Sequence, residues 1–182
     1  LSISRYRKSF VLKGALLFKP WYGLAARPTM DADLLGAGSP DIFRLETLFS
    51  EICTLAVEPD GLIFPPETVK GEEIREEAEY QGVRIKLTAG LAGARIPLQI
   101  DIGFGDAVTP RARTIDYPVL LEFPAPRLKT YPLHTVIAEK FHAIVLKGLA
   151  NSRLKDYYDL WYMSGHSNID GSSIFISALV RF

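Results

Sequence analysis

Hydrophobic and polar positions alternate along this chain with two different periods, and the periods change over between segments. In "GVRIKLTAGL", Val83, Ile85 and Leu87 alternate with Arg84, Lys86 and Thr88, a period of two that predicts a half-buried strand. "ARIPLQIDIGFGD" predicts a longer strand, and Pro97 within it predicts an edge position or a bulge. "SFVLKG" reads as a short strand with a tight entry into the helix "ALLFKPWYG". Pro20 lies inside that helix, so the helix should be short or kinked. "RPTMDADLLG" reads as loop and strand, and "DYPVLLEF" as another strand. Between them, "LIFPPETVKGEEIREE" is charged and partly extended.

Helical periodicity marks the other segments. Ser39, Pro40 and Asp41 supply an N-cap, a proline at the first helical position and an acid in the first turn. The helix they open should run to about Val57, with Ile42, Leu45, Leu48, Phe49 and Ile52 on one face. After Pro124 and Pro126 the pattern turns helical. "LHTVIAEKFHAIVLKG" should end at a Gly148 C-cap. "SRLKDYYDLWYM" should start at Asn151-Ser152 and present Leu154, Tyr157, Tyr158 and Trp161 as its core stripe. No internal repeat or low-complexity segment is present.

Composition narrows the picture. The 182 residues suit one domain, or one domain with a helical appendage, and 48% hydrophobic content supports a sizeable core. With 21 basic and 21 acidic residues the formal charge is zero, which argues against a surface generally coated by nucleic acid or membrane. Arg5, Arg7 and Lys8, or Arg111 and Arg113, could form a local basic strip, although a solvated surface is the plainer reading of each group. The single cysteine, Cys53, cannot form an internal disulfide, and a reducing cytoplasm is the expected setting. No apolar run approaches the ~18 residues needed to span a membrane. The chain begins at Leu1 rather than Met and ends inside the apolar pattern "SSIFISALVRF", so both ends are expected to be trimmed.

The candidate chemistry centres on carboxylates. On a strand, Asp31 and Asp33 point the same way, ~7 Å apart, while Ala32 and Leu34 point to the core. Carboxylates held so close repel unless a cation lies between them, and a hard divalent cation answers that need. The bland alternative is a solvated strand end. Asp101 alternates off the core pattern of Ile100 and Ile102 in the same way; alone it could cap a turn or pair with an arginine. If its strand lies beside the first, the three acids supply a two-metal site for in-line displacement at phosphorus. Lys13-Gly14-Ala15 lies between strand and helix, where glycine permits close backbone approach to a phosphate, or merely a turn. Lys140 falls near the middle of the apolar face formed by Leu133, Val136, Ile137, Phe141 and Ile144, so it should be ion-paired or contact phosphate, unless it snorkels. Lys155 and Asp159 are spaced for an i,i+4 ion pair, with Asp156 adding a second negative charge nearby.

In this order, "LKGALLF", "RPTMDADLL", "LQIDIGFGD", "YPLHTVIAEKFHAIV" and "NSRLKDYYDLW" resemble the nucleotidyltransferase toxins of the AbiEii/AbiGii type, from abortive-infection toxin–antitoxin systems. The resemblance spans roughly Phe10 to Met163. It implies an α+β nucleotidyltransferase fold: a mixed, twisted β-sheet flanked by helices, with a C-terminal helical part. The division implied is 1–127 as transferase core and 128–182 as a helical region completing the active-site cleft. Asp31, Asp33 and Asp101 would bind Mg2+ or Mn2+, and Lys13, Gly14, Ala15, Lys155 and Asp156 would bind nucleotide or phosphate. Lys140 and Asp159 would join the acids as catalytic residues. The reaction implied moves a nucleotidyl group from an NTP to a hydroxyl acceptor, an RNA such as a tRNA 3′ end, with an antitoxin protein as partner and no membrane. The alternative is a catalytically silent nucleotide-binding or protein-interaction module of the same fold. Ala15, where related transferases often carry Ser or Gly, Pro20, and the long spacing from Ala15 to Asp31 depart from the general pattern.

Overall fold

The computed structural model describes residues 1–23, 27–75, 81–148 and 154–179. Contacts divide the chain into two compact units, Leu1–Asp106 with Thr114–Lys129, and Ala107–Arg113 with Thr130–Phe182.

The first unit is built on a mixed sheet. Its strands are β1 (Phe10–Lys13), β2 (Asp31–Gly36), β3 (Leu62–Ile63), β4 (Lys70–Arg75), β5 (Gln81–Leu91), β6 (Ala94–Phe104), β7 (Arg113–Asp116) and β8 (Arg127–Thr130). They lie in the order β3-β5-β6-β2-β1-β8-β7, with β4 also paired to β5. β6 runs antiparallel to β5 and parallel to β2, which is antiparallel to β1. One sheet face is apolar. Phe10, Leu12, Leu34, Val83, Ile85, Leu87, Ile102 and Phe104 are buried, as their alternation predicts. Helix α2 (Ile42–Cys53) contacts β4 and β5 and buries Leu45, Leu48 and Phe49. Phe49 meets Phe10 at a ring-centroid distance of 5.7 Å. Burial of each such side chain contributes about 1.5–3 kcal/mol. Gly71 of β4 has no room for a Cβ, which would meet Ile42 at 2.6 Å, and its N–H donates to Glu46 Oε1 at 2.7 Å. The helix thus lies directly on the strand.

Some local readings need correction, and those at Pro20 and Pro97 are met in part. The α2 cap is Asp41, whose Oδ1 accepts from the Arg44 N–H at 2.7 Å, two residues beyond Ser39, and the helix stops at Cys53 rather than near Val57. The helix around Pro20 is short, as expected, but the proline does not break it. Gly14–Leu17 form a 3₁₀ turn and α1 is only Phe18–Tyr22, so Pro20 lies in the first turn, where no N–H is required. Pro97 lies in the part of β6 beyond the register with β2, which covers Gln99–Phe104, so it occupies a local edge of an otherwise interior strand. "DYPVLLEF" is not a strand. β7 ends at Asp116, Leu120 and Leu121 are exposed, and the Tyr117 N–H donates to Pro126 O to close a loop. β8 then follows Pro126 where helix was expected to begin.

The second unit contains α3 (Leu133–Lys147), α4 (Leu154–His166) and α5 (Gly171–Leu179), with α3 packed on both others. Gly148 ends α3 with φ +49°, as its placement predicts. The Thr109 carbonyl accepts from Thr135 Oγ1 at 2.7 Å and from Ser177 Oγ at 2.6 Å, tying α3 and α5 to the 107–113 segment. The Asn151-Ser152 start signal lies outside the described residues. The expected core stripe of α4 is reversed: Leu154, Tyr157, Tyr158 and Trp161 are exposed, while Asp156, Asp159 and Met163 are buried. Periodicity located the helix but chose the wrong face, because a buried cation sits on the other one.

Candidate active site

The polar face of the sheet, opposite α2, carries the charges. Register aligns Lys13 of β1 with Asp33 of β2, Asp33 with Asp101 of β6, Asp101 with Arg84 of β5, and Arg84 with Glu72 of β4. Directly paired residues share a face, so a row of alternating strands reads plus, minus, minus, plus, minus. The next row along contains Asp31, Gln99 and Lys86. The fold therefore brings Asp31, Asp33 and Asp101 onto one face, with Asp33 and Asp101 as immediate neighbours.

Each acid has a distinct setting. Asp31 opens β2, and the Thr29 hydroxyl bonds both its N–H, at 3.4 Å, and its carbonyl, at 3.3 Å, fixing where the strand begins. Asp33 lies against the 3₁₀ turn. A Cβ on Gly14 would collide with its carboxylate, and Gly14 has φ +69°. Only glycine gives both that backbone conformation and that clearance. Asp101 is held by Arg84 through both oxygens, Nε to Oδ1 and Nη2 to Oδ2, each at 2.8 Å. These hydrogen bonds chiefly hold the Arg84 pKa above its ordinary value against desolvation, and the charges of Asp101, Glu72 and Asp31 add to them. Gln99 Nε2 reaches Asp101 Oδ2 at 3.4 Å.

Lys13 reaches along the same face to Asp106, 3.1 Å from its Oδ2, and that carboxylate is 6% exposed. A cavity of about 230 Å³ beside them is lined in part by Val11, Leu35 and Asp106. Ala15 is buried within the 3₁₀ turn. Among the described residues, no three His, Cys, Asp or Glu side chains already form a metal cage. The donor set nevertheless suits a hard cation: carboxylate oxygens on adjacent strands, packed against a turn that admits no side chain.

In the second unit Lys140 binds Asp156 Oδ1 at 2.8 Å and Asp159 Oδ2 at 2.7 Å. All three are largely buried, Asp159 completely. Lys140 is therefore ion-paired, one of the two outcomes its place on the helix predicts. Asp159 meets this lysine from another helix, and Lys155 is exposed. Arg84, Gln99 and Asp106 were not singled out by sequence reading. Each occupies a polar alternation position or a strand end, and only cross-strand register gives it a partner.

A family model described as "Nucleotidyl transferase AbiEii toxin, Type IV TA system" matches residues 1–182, the whole chain. The chain belongs to the AbiEii nucleotidyl transferase toxin family. Two solved structures share its fold: JHP933 from Helicobacter pylori, and a candidate nucleotidyltransferase from H. pylori. Each has a TM-score of 0.56 and 18% identity, over 87% of this chain. The chain spans 59% of the first and 60% of the second. A search of curated proteins finds no match. The AbiEii relationship agrees with the α+β fold. No helix among the described residues is long and apolar enough to cross a membrane.

Proposed function

We propose that this AbiEii family member transfers a nucleotidyl group from an NTP to a hydroxyl acceptor, as the toxin of a toxin–antitoxin pair. The observation that carries this reading is the register of Asp33 with Asp101, beside Asp31 and against the Gly14 turn. Asp31, Asp33 and Asp101 would hold magnesium or manganese, which supplies charge neutralisation of the triphosphate and activation of the acceptor hydroxyl. The chain's own residues do the positioning. Gly14 lets the turn close onto the Asp33 carboxylate, in space that any Cβ would fill, and so fixes where that acid sits; the backbone of this turn would be the phosphate contact. Lys13, tied to Asp106, holds the end of β1 and so the approach to that turn. Lys140, Asp156 and Asp159 fix α3 to α4. The acceptor is read as RNA, a tRNA 3′ end for example, and the protein partner as a cognate antitoxin.

The test is Mg2+-dependent incorporation of labelled nucleotide into total RNA, with all four NTPs, by the intact protein and by Asp33→Ala. Incorporation by the intact protein and a loss of about 10²-fold or more in the variant is the expected result, as for removal of a group that stabilises transition-state charge. No incorporation by the intact protein would favour the silent binding module instead.

A further inference from the structure

Two carboxylates side by side repel, and the fold places Asp33 and Asp101 in direct register. Arg84 supplies a positive charge to one of the two. Its guanidinium occupies both oxygens of Asp101 in the fork geometry that arginine forms with carboxylates. The same geometry suits a phosphate. Arg84 is also on the sheet face that carries Asp31 and Asp33, and it feels the charge of Asp31. A cation that coordinates Asp101 must share an oxygen that already accepts from Arg84, so two positive charges meet at one carboxylate. Once displaced, the partly exposed guanidinium can turn to another anion, and a phosphate offers it the same fork geometry.

We infer that Arg84 is the resident counter-ion of this carboxylate face: divalent metal competes with it for Asp101, and loading the metal turns the guanidinium to the nucleotide phosphates. The inference rests on the metal-dependent reading above and assigns a role to a residue outside the three acids. The guanidinium makes the cluster tolerable before metal arrives.

Two opposite effects of one substitution test it. Mn2+ affinity is read by electron paramagnetic resonance on the full chain without nucleotide, and inorganic triphosphate affinity by calorimetry at saturating Mg2+. Arg84→Met should bind Mn2+ roughly ten-fold tighter, because a positive charge a few ångströms away is gone. It should bind triphosphate roughly ten-fold more weakly, because a charge-assisted fork is lost. Arg84→Lys, which keeps the charge but not the fork, should fall between. A variant that is merely misfolded weakens both. Should Arg84→Met fail to fold, the wild-type protein decides by NMR. The Arg84 Nε–H, donating to Asp101 at 2.8 Å, should be protected from exchange without metal and lose protection as Mg2+ saturates. Persistent protection, or Mn2+ affinity unchanged by Arg84→Met, overturns the inference and leaves the metal-dependent reading standing. Absence of Mn2+ binding to either protein removes both.

Discussion

Gly14 shows how much one residue can determine at this site. Its φ of +69° is costly for any residue with a Cβ, and that Cβ would strike the Asp33 carboxylate. Gly14→Ala should therefore destabilise the protein by at least about 1–2 kcal/mol from the backbone alone. It should also weaken Mn2+ binding by pushing Asp33 aside. Urea denaturation and Mn2+ titration measure the two effects, and unchanged values for both would contradict the packing described. The acids themselves were legible in the chain, because alternation puts Asp31, Asp33 and Asp101 off their strands' core faces. Arg84 was not. In "VRIKL" it is one more charged residue on a polar face, and its partner stands 17 residues away. Thr29 was equally silent until its hydroxyl met both backbone groups of Asp31.

Among the elements, helix ends were read less well than helix existence. Three polar residues, Ser39 to Asp41, offered more than one cap, and the side chain that reaches an N–H belongs to Asp41. A similar cap opens α5: Asp170 accepts from the N–H groups of Ser172 and Ser173 and from both their hydroxyls. The hydroxyl bonds from Ser173 and then Ser172 lead the causes that lower its pKa from 3.8 to about 2. A carboxylate depressed in the folded state contributes stability above its unfolded pKa and loses it as pH falls through its folded pKa. Asp170→Asn should thus lower the thermal midpoint at neutral pH, and the difference from wild type should shrink as pH falls from about 4 through about 2. Circular dichroism melts across that range check it; a difference constant with pH would show that ionisation of the cap is irrelevant. The reversed face of α4 has a related cause. Its aromatic residues suggested an apolar stripe, yet the two aspartates bury themselves on Lys140.

At the scale of the molecule, the two compact units place their charged groups by different means. In the first, strand register assembles a row from β1, β2, β6, β5 and β4. In the second, a buried lysine joins two helices. Lys140→Met removes a buried cation shared by Asp156 and Asp159, which should cost about 3–5 kcal/mol. Amide hydrogen exchange should show the loss in α3 and α4, with protection in β5 and β6 retained. Equal loss in both units would mean that they unfold as one cooperative body, contrary to the division of contacts.

The order of residues alone settles which faces of the main strands are apolar, where α3 ends, and which three acids are set off from the core. These are local properties, carried by periods of two and 3.6 and by the conformational freedom of glycine. Tertiary structure alone decides the rest: that Asp101 lies beside Asp33 rather than on a distant strand, that Arg84 closes it, and that α4 buries aspartates instead of tyrosines. Each depends on a partner far along the chain. The energy of a charge is set by what faces it in space, which spacing along the sequence does not encode.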